Sequence, residues 1–212
     1  MSASGRQLVA QSHKVGFRER AAVPVELGAY LDNLVAAVAS VADLDAAYLI
    51  GSAAFGGYEH DRSDVDVVAV TSRSLAPDER RLLVAAAEAG PCPARKLELV
   101  VYPRASDAWE INLNTGEHVS YDPADEPSFW FVIDRAIAES HAVPLVGPPW
   151  EEVFAPVPHE TLLAALADSL YSIGLPGAVR AWAWTETGAW LSKPAAADRL
   201  RERVRRDLEG LR

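Results

Sequence analysis

The sequence has a single cysteine, Cys92, set between Pro91 and Pro93. One cysteine excludes an internal disulfide and any cysteine-ligated zinc cluster, and it fits a reducing compartment. Long apolar runs are missing as well. No stretch of about 18 residues is free of both charge and proline, so no membrane-spanning helix is expected. Met1 to Val15 lacks the continuous apolar core of a signal peptide, which makes the cytoplasm the expected location. Basic charge is scarce, with 20 Lys and Arg against 30 Asp and Glu and a formal net charge of −10. Such a molecule repels phosphate backbones and attracts cations, which argues against nucleic-acid partners. No Gly-x-Ser-x-Gly elbow occurs, so nothing supports a serine hydrolase. His13, His60, His118, His141 and His159 show no metal-ligand spacing.

What is present is an ordinary globular mixture of 212 residues, 50% hydrophobic and 24% charged, with room for one domain or two small ones. Residues 1–24 are small and polar and end at Pro24, which reads as a loosely ordered arm. Leu27, Leu31, Leu34, Val35, Val38 and Val41 fall at helical spacing. Ala47 to Ile50 and Val65 to Val70 read as strands on either side of the Gly-rich stretch Gly51 to Ser63. Pro77 suits the first position of a short helix through Leu83 and Ala86. Leu97 to Tyr102 is a third strand, and Trp109, Ile111 and Leu113 alternate as a half-exposed strand would. A helix follows from Pro127, carrying Phe129, Ile133, Ala136 and Ile137 on one face. Pro144 to Pro158, with five prolines, reads as an irregular connection. Three further helical stripes hold Leu162 to Leu170, Val179 to Thr187, and Leu200, Val204, Leu208 and Leu211. The arginines and acids of the last one read as a solvated face, and Trp182, Trp184 and Trp190 as packing.

The informative stretch is Gly51-Ser52 followed by Asp64-Val65-Asp66 inside an apolar strand. Strand side chains alternate, so Asp64 and Asp66 share one face. Neighbouring carboxylates repel unless a cation sits between them, and hard oxygen ligands of this kind suit Mg²⁺. Gly51 permits close backbone approach to a ligand, and the Ser52 hydroxyl can donate to a phosphate oxygen. Glu98, flanked by Leu97 and Leu99, faces away from them toward the open side of the sheet. Three such acids can hold two metal ions, an arrangement suited to in-line phosphoryl or nucleotidyl transfer.

These residues resemble the signature of the polymerase beta-like nucleotidyltransferase superfamily, and within it the aminoglycoside (3'') adenylyltransferases that modify streptomycin and spectinomycin. The resemblance covers Tyr48 to Val70, Lys96 to Val101, Pro144 to Pro158, and Arg180 to Lys193 with Thr187-Gly188 and Ser192-Lys193. It implies that Asp64 and Asp66 bind Mg²⁺ and that Glu98 is the catalytic base, counted with them as a metal-site carboxylate. It further implies that Arg180 and Lys193 meet the ATP phosphates. Gly51, Ser52 and Ser63, at the two ends of the Gly-rich stretch, complete the expected nucleotide contacts. The family carries an Asp-Glu-Arg-Asn stretch ahead of its arginine helix, where this chain has Ile173-Gly174-Leu175-Pro176-Gly177. With those acids missing, Glu110, Asp134 or Asp168 are the candidates to hold a cationic acceptor.

The expectation is therefore an α+β fold. A small mixed-sheet nucleotidyltransferase domain would span residues 1–156 and a short C-terminal helical domain residues 157–212, with ATP and Mg²⁺ in the cleft between them. The expected reaction transfers AMP from ATP to a hydroxyl of a small, cationic molecule, catalysed by a monomer. The rivals are a nucleotide-binding regulatory module without turnover, and an adenylyltransferase acting on a protein or another metabolite.

Overall fold

The structure, a computed structural model, describes residues 23–170, 172 and 174–210. The arm expected over residues 1–24 lies outside them except for its last two positions. In chain order the described elements are α1 (Val25–Val41), β1 (Leu44–Ile50), a single-turn α2 (Gly51–Ala54), β2 (Val65–Thr71), α3 (Pro77–Ala87), β3 (Leu97–Pro103), β4 (Ile111–Asn114), β5 (His118–Ser120), α4 (Ser128–His141), β6 (Val143–Val146), α5 (His159–Ser169), α6 (Gly174–Thr187) and α7 (Lys193–Glu209). This is the α+β architecture the sequence suggests.

The strands form one mixed sheet in the order β5-β4-β3-β2-β1-β6. Only β2 and β3 run parallel. Parallel neighbours need a crossover, and α3 lies in the segment that makes it. The period-2 alternation of β2 and β3 splits the core in two. Val65, Val67, Ala69, Leu97, Leu99 and Val101 pack with Leu27, Leu31, Leu34 and Val38 of α1 and Leu83 and Val84 of α3. Val68, Val70 and Tyr102 point the other way, toward Ala138 of α4 and the rings of Trp150 and Phe154. Burying one Leu of α1 contributes about 1.5–3 kcal/mol.

Helix α4 has a second face. Phe129, Ile133, Ala136 and Ile137 pack against Leu162, Ala165 and Leu166 of α5, Ala181 of α6, and Trp190. Helix α7 rests on α6 through Ala196, Val179 and Ala183, while its outer surface carries i,i+3 and i,i+4 ion pairs such as Arg205 with Glu202 and Glu209. The tryptophans thus serve packing and the last helix presents a solvated face, as expected. Val204 and Leu208 of its predicted apolar stripe nevertheless stay 47% and 59% exposed. Among the described residues no helix is long and apolar enough to cross a membrane.

Two expectations need correction. The proline-rich segment is not wholly irregular: Val143–Val146 forms an edge strand beside β1, and Trp150–Glu152 forms a 3-10 turn. An edge position tolerates Pro144 because no outer neighbour requires its missing N–H. Trp150 and Phe154 then stack with ring centroids 4.3 Å apart and help cover the sheet. Strand β4, expected half-exposed, is buried at Ile111, Asn112 and Leu113, since it lies between β3 and β5 rather than at the edge.

Candidate active site

Strand register assembles the site. Ile50 of β1 lies opposite Asp66 of β2, Asp66 beside Glu98 of β3, and Glu98 opposite Asn114 of β4. Alternation turns Asp66 and Glu98 toward the α4 side, beyond the end of the apolar rows above and below. The chain leaves β1 directly at this row through Gly51, whose φ is +63°. A Cβ there would stand 1.8 Å from Asp66 Oδ2, so the turn passes over the carboxylate only because residue 51 has no side chain. Beyond it, the Phe55 and Gly57 amides donate to the Gly51 and Ser52 carbonyls at 3.1 and 2.9 Å. Ser63 Oγ accepts the Glu59 N–H at 3.0 Å, closing the far end of the loop on itself. His60 pairs with Asp61 on the loop surface.

Asp64 and Glu98 are each answered by a cation. Asp64 accepts two hydrogen bonds from Arg95, Nε to Oδ1 at 2.7 Å and Nη2 to Oδ2 at 2.6 Å. Glu98 Oε1 lies 2.8 Å from Lys96 Nζ. Asp66 is held well above the ordinary carboxylate range, first by burial, then by repulsion from Glu98 and Asp134, a hydrogen bond with Glu98, and the charge of Asp64. Asp134, projecting from α4, is pushed up to about 7 by burial and by Glu98, against the opposing pull of Arg180 and Lys193. Asp134 is nonetheless exposed to solvent, although protein crowds its carboxyl closely.

The facing wall is cationic and aromatic. Arg180 of α6 donates from Nε to the Leu191 carbonyl at 2.9 Å and lies over the rings of Phe55 and Trp190, 5.5 and 5.8 Å from their centroids. Burial lowers its pKa while Asp134 raises it. His141 stacks on Phe55 with centroids 3.6 Å apart, and burial and Arg180 both push its pKa down. Lys193 opens α7 behind the Ser192 cap.

Among the described residues no three His, Cys, Asp or Glu side chains are gathered into a ready-made metal centre. The donor chemistry nonetheless fits a hard divalent cation. Mg²⁺ uses one or two carboxylates and completes its shell with water and substrate phosphates, and Asp66 is a carboxyl raised well above its ordinary range first by burial and then by the negative charge of Glu98 and Asp134. A cation at Asp66 and Asp64 would relieve that repulsion.

Of the residues singled out by sequence, Gly51, Asp64, Asp66 and Glu98 come together, and Arg180 and Lys193 act on the same cluster through Asp134. Ser52 lies in α2 beside them, whereas the Ser63 hydroxyl is engaged within the loop. The three substitute acids separate. Glu110 is buried, accepting the Leu75 N–H at 3.0 Å and pairing with Arg80 at 3.0 Å, so it anchors the segment leading to α3. Asp168 lies on the exposed side of α5, and of the three only Asp134 couples by charge to Asp66 and Glu98. Sequence reasoning passed over Arg95, Lys96 and Asn114 as site residues. The available signal was a lysine two residues before Glu98, hence on the same strand face.

By sequence, the chain matches no protein-family model and no curated protein. By fold, it is similar to the crystal structure of spectinomycin adenyltransferase AAD(9) from Enterococcus faecialis with ATP and spectinomycin. The TM-score is 0.65, covering 84% of this chain and 82% of that one at 16% sequence identity. The two chains share a fold.

Proposed function

We propose that this chain is a nucleotidyltransferase that moves AMP from ATP onto a hydroxyl of a small cationic acceptor of the streptomycin and spectinomycin type, acting as a cytoplasmic monomer. The observation that carries this reading is the placement of Asp66 and Glu98 side by side on one row of the sheet, with Arg180 and Lys193 coupled by charge to the neighbouring Asp134. Carboxylates on one wall and cations on the other are what a nucleoside triphosphate and an attacking hydroxyl together require. The ligands printed for the similar structure, ATP and spectinomycin, support the choice of substrates.

In this reading the acceptor oxygen attacks the α-phosphorus, the bond from that phosphorus to the pyrophosphate oxygen breaks, and the hydroxyl proton passes to Glu98. Asp64 and Asp66, with Glu98 beside them, would hold Mg²⁺, which when bound offsets the charge of the phosphates. Arg180 and Lys193 meet the phosphates from the helical part, residues 157–212. Gly51, Ser52 and Ser63 shape the nucleotide loop of the sheet part, residues 1–156. Asp134 accepts an ammonium group of the acceptor, the role Glu110 and Asp168 are too far committed or too far removed to play.

The test is incubation with ATP, Mg²⁺ and a panel of aminoglycosides, with products weighed by mass spectrometry. An acceptor heavier by one adenylyl group (AMP less one water), released pyrophosphate, and a fall of about 10²-fold or more in turnover for Glu98→Gln are expected. ATP left intact with every hydroxyl acceptor would refute the reading.

A further inference from the structure

Lys96 is an unusual residue to find where it is. It is 9% exposed, and a lysine so buried needs partners for its charge. Its ammonium has three N–H donors, and three oxygens surround it: Glu117 Oε2 at 2.7 Å, Glu98 Oε1 at 2.8 Å and Asn114 Oδ1 at 3.0 Å. The donors and acceptors match one for one. The surroundings are rigid too. Lys96 directly precedes β3, and its carbonyl accepts the Val65 N–H of β2 at 2.9 Å. Asn114 is the register partner of Glu98 on β4, and Glu117 lies in the turn between β4 and β5.

Glu98 needs such a fixture. It is hydrogen-bonded to Asp66 and within reach of the charge on Asp134, and the Lys96 cation offsets that acidic crowding.

We propose that Lys96 is a positioning residue that ties down Oε1 of Glu98 and so fixes the carboxylate in place to take the acceptor proton. Glu117 and Asn114 in turn hold Lys96 in place. This rests on the assignment of Glu98 as the base.

The experiment compares wild type with Lys96→Met and Glu117→Gln, in steady-state transfer of AMP and in crystal structures. Glu117 is half exposed, so its variant folds even if a buried methionine next to two carboxylates proves too costly in Lys96→Met. Expected are a fall in kcat of at least about tenfold for Lys96→Met and a smaller fall for Glu117→Gln, with KM for ATP nearly unchanged in both. An unchanged kcat in the soluble variants overturns the inference, and so does a raised KM for ATP at constant kcat, which would make Lys96 a phosphate ligand. If the wild type transfers no nucleotide, the functional reading fails separately. The crystal structures then decide: a Glu98 carboxylate displaced in Lys96→Met supports the positioning role, and one left in place overturns it.

Discussion

Gly51→Ala tests the assembly of the site at its tightest point. The new Cβ would stand 1.8 Å from Asp66 Oδ2, and real Cβ contacts essentially never close below 3.0 Å, so the carboxylate must retreat by roughly 1.2 Å. The backbone of β2 cannot follow, because it is paired with β1 on one side and β3 on the other. The side chain alone moves, and a misplacement of about 1 Å in a catalytic constellation costs on the order of 10²-fold in rate. The alanine also sits at φ +63°, a left-handed conformation costing about 1–2 kcal/mol. In a domain of this size each kcal/mol lowers Tm by about 2–4 °C. Gly188→Ala is the control: its φ is +68° but nothing lies within 4 Å of the added methyl, so it bears the conformational cost without the collision. Turnover and thermal melts of both variants should show similar losses of Tm, with activity lost only in Gly51→Ala. Normal turnover in Gly51→Ala, or equal loss in both, would refute the argument.

The other expectations follow from the charges. ATP with Mg²⁺ should raise Tm by binding only the folded chain, and Asp66→Asn should lose most of that shift; an undiminished shift would remove Asp66 from the metal site. Asp134 titrates at about 7 in the folded protein against an ordinary 3.8, so the folded form binds this proton more tightly. Its contribution to stability is complete below about pH 4 and is lost as pH rises through about 7. Without ligand, wild type should therefore lose Tm relative to Asp134→Asn across that window, and parallel pH curves would show that the carboxyl is not crowded. Glu110→Gln should cost about 1–3 kcal/mol, less than breaking a fully buried pair because Arg80 is partly open to water, while leaving the acceptor KM alone. A raised acceptor KM without loss of stability would return Glu110 to the acceptor site.

Local chemistry made much of this molecule legible in one dimension. The 3.6-residue spacing of Leu27, Leu31, Leu34 and Val38 defined α1, and the β-branched run through Val65 to Val70 defined β2, because each pattern satisfies one backbone geometry and buries one face. Asp66 stood out for the same reason, as a charge inside an apolar strand. The edge strand Val143–Val146 was hidden because Pro144 argues against a central strand, and only the place at the sheet's margin makes it harmless. The burial of β4 likewise depended on β5, a three-residue strand too short to carry a pattern of its own.

One-dimensional patterning marks the residues that are chemically out of place: Asp64, Asp66 and Glu98 in or beside apolar strands, and a glycine where a strand meets a turn. What they stand next to was decided by strand order, since residues 66, 98 and 114 become neighbours only when β2, β3 and β4 pair in one register. The same register gave Lys96 its three oxygens and left Glu110 as a structural anchor. Periodicity is a property of consecutive residues, whereas the partner of a charge is set by contacts far apart in the chain, and those exist only after the sheet has closed.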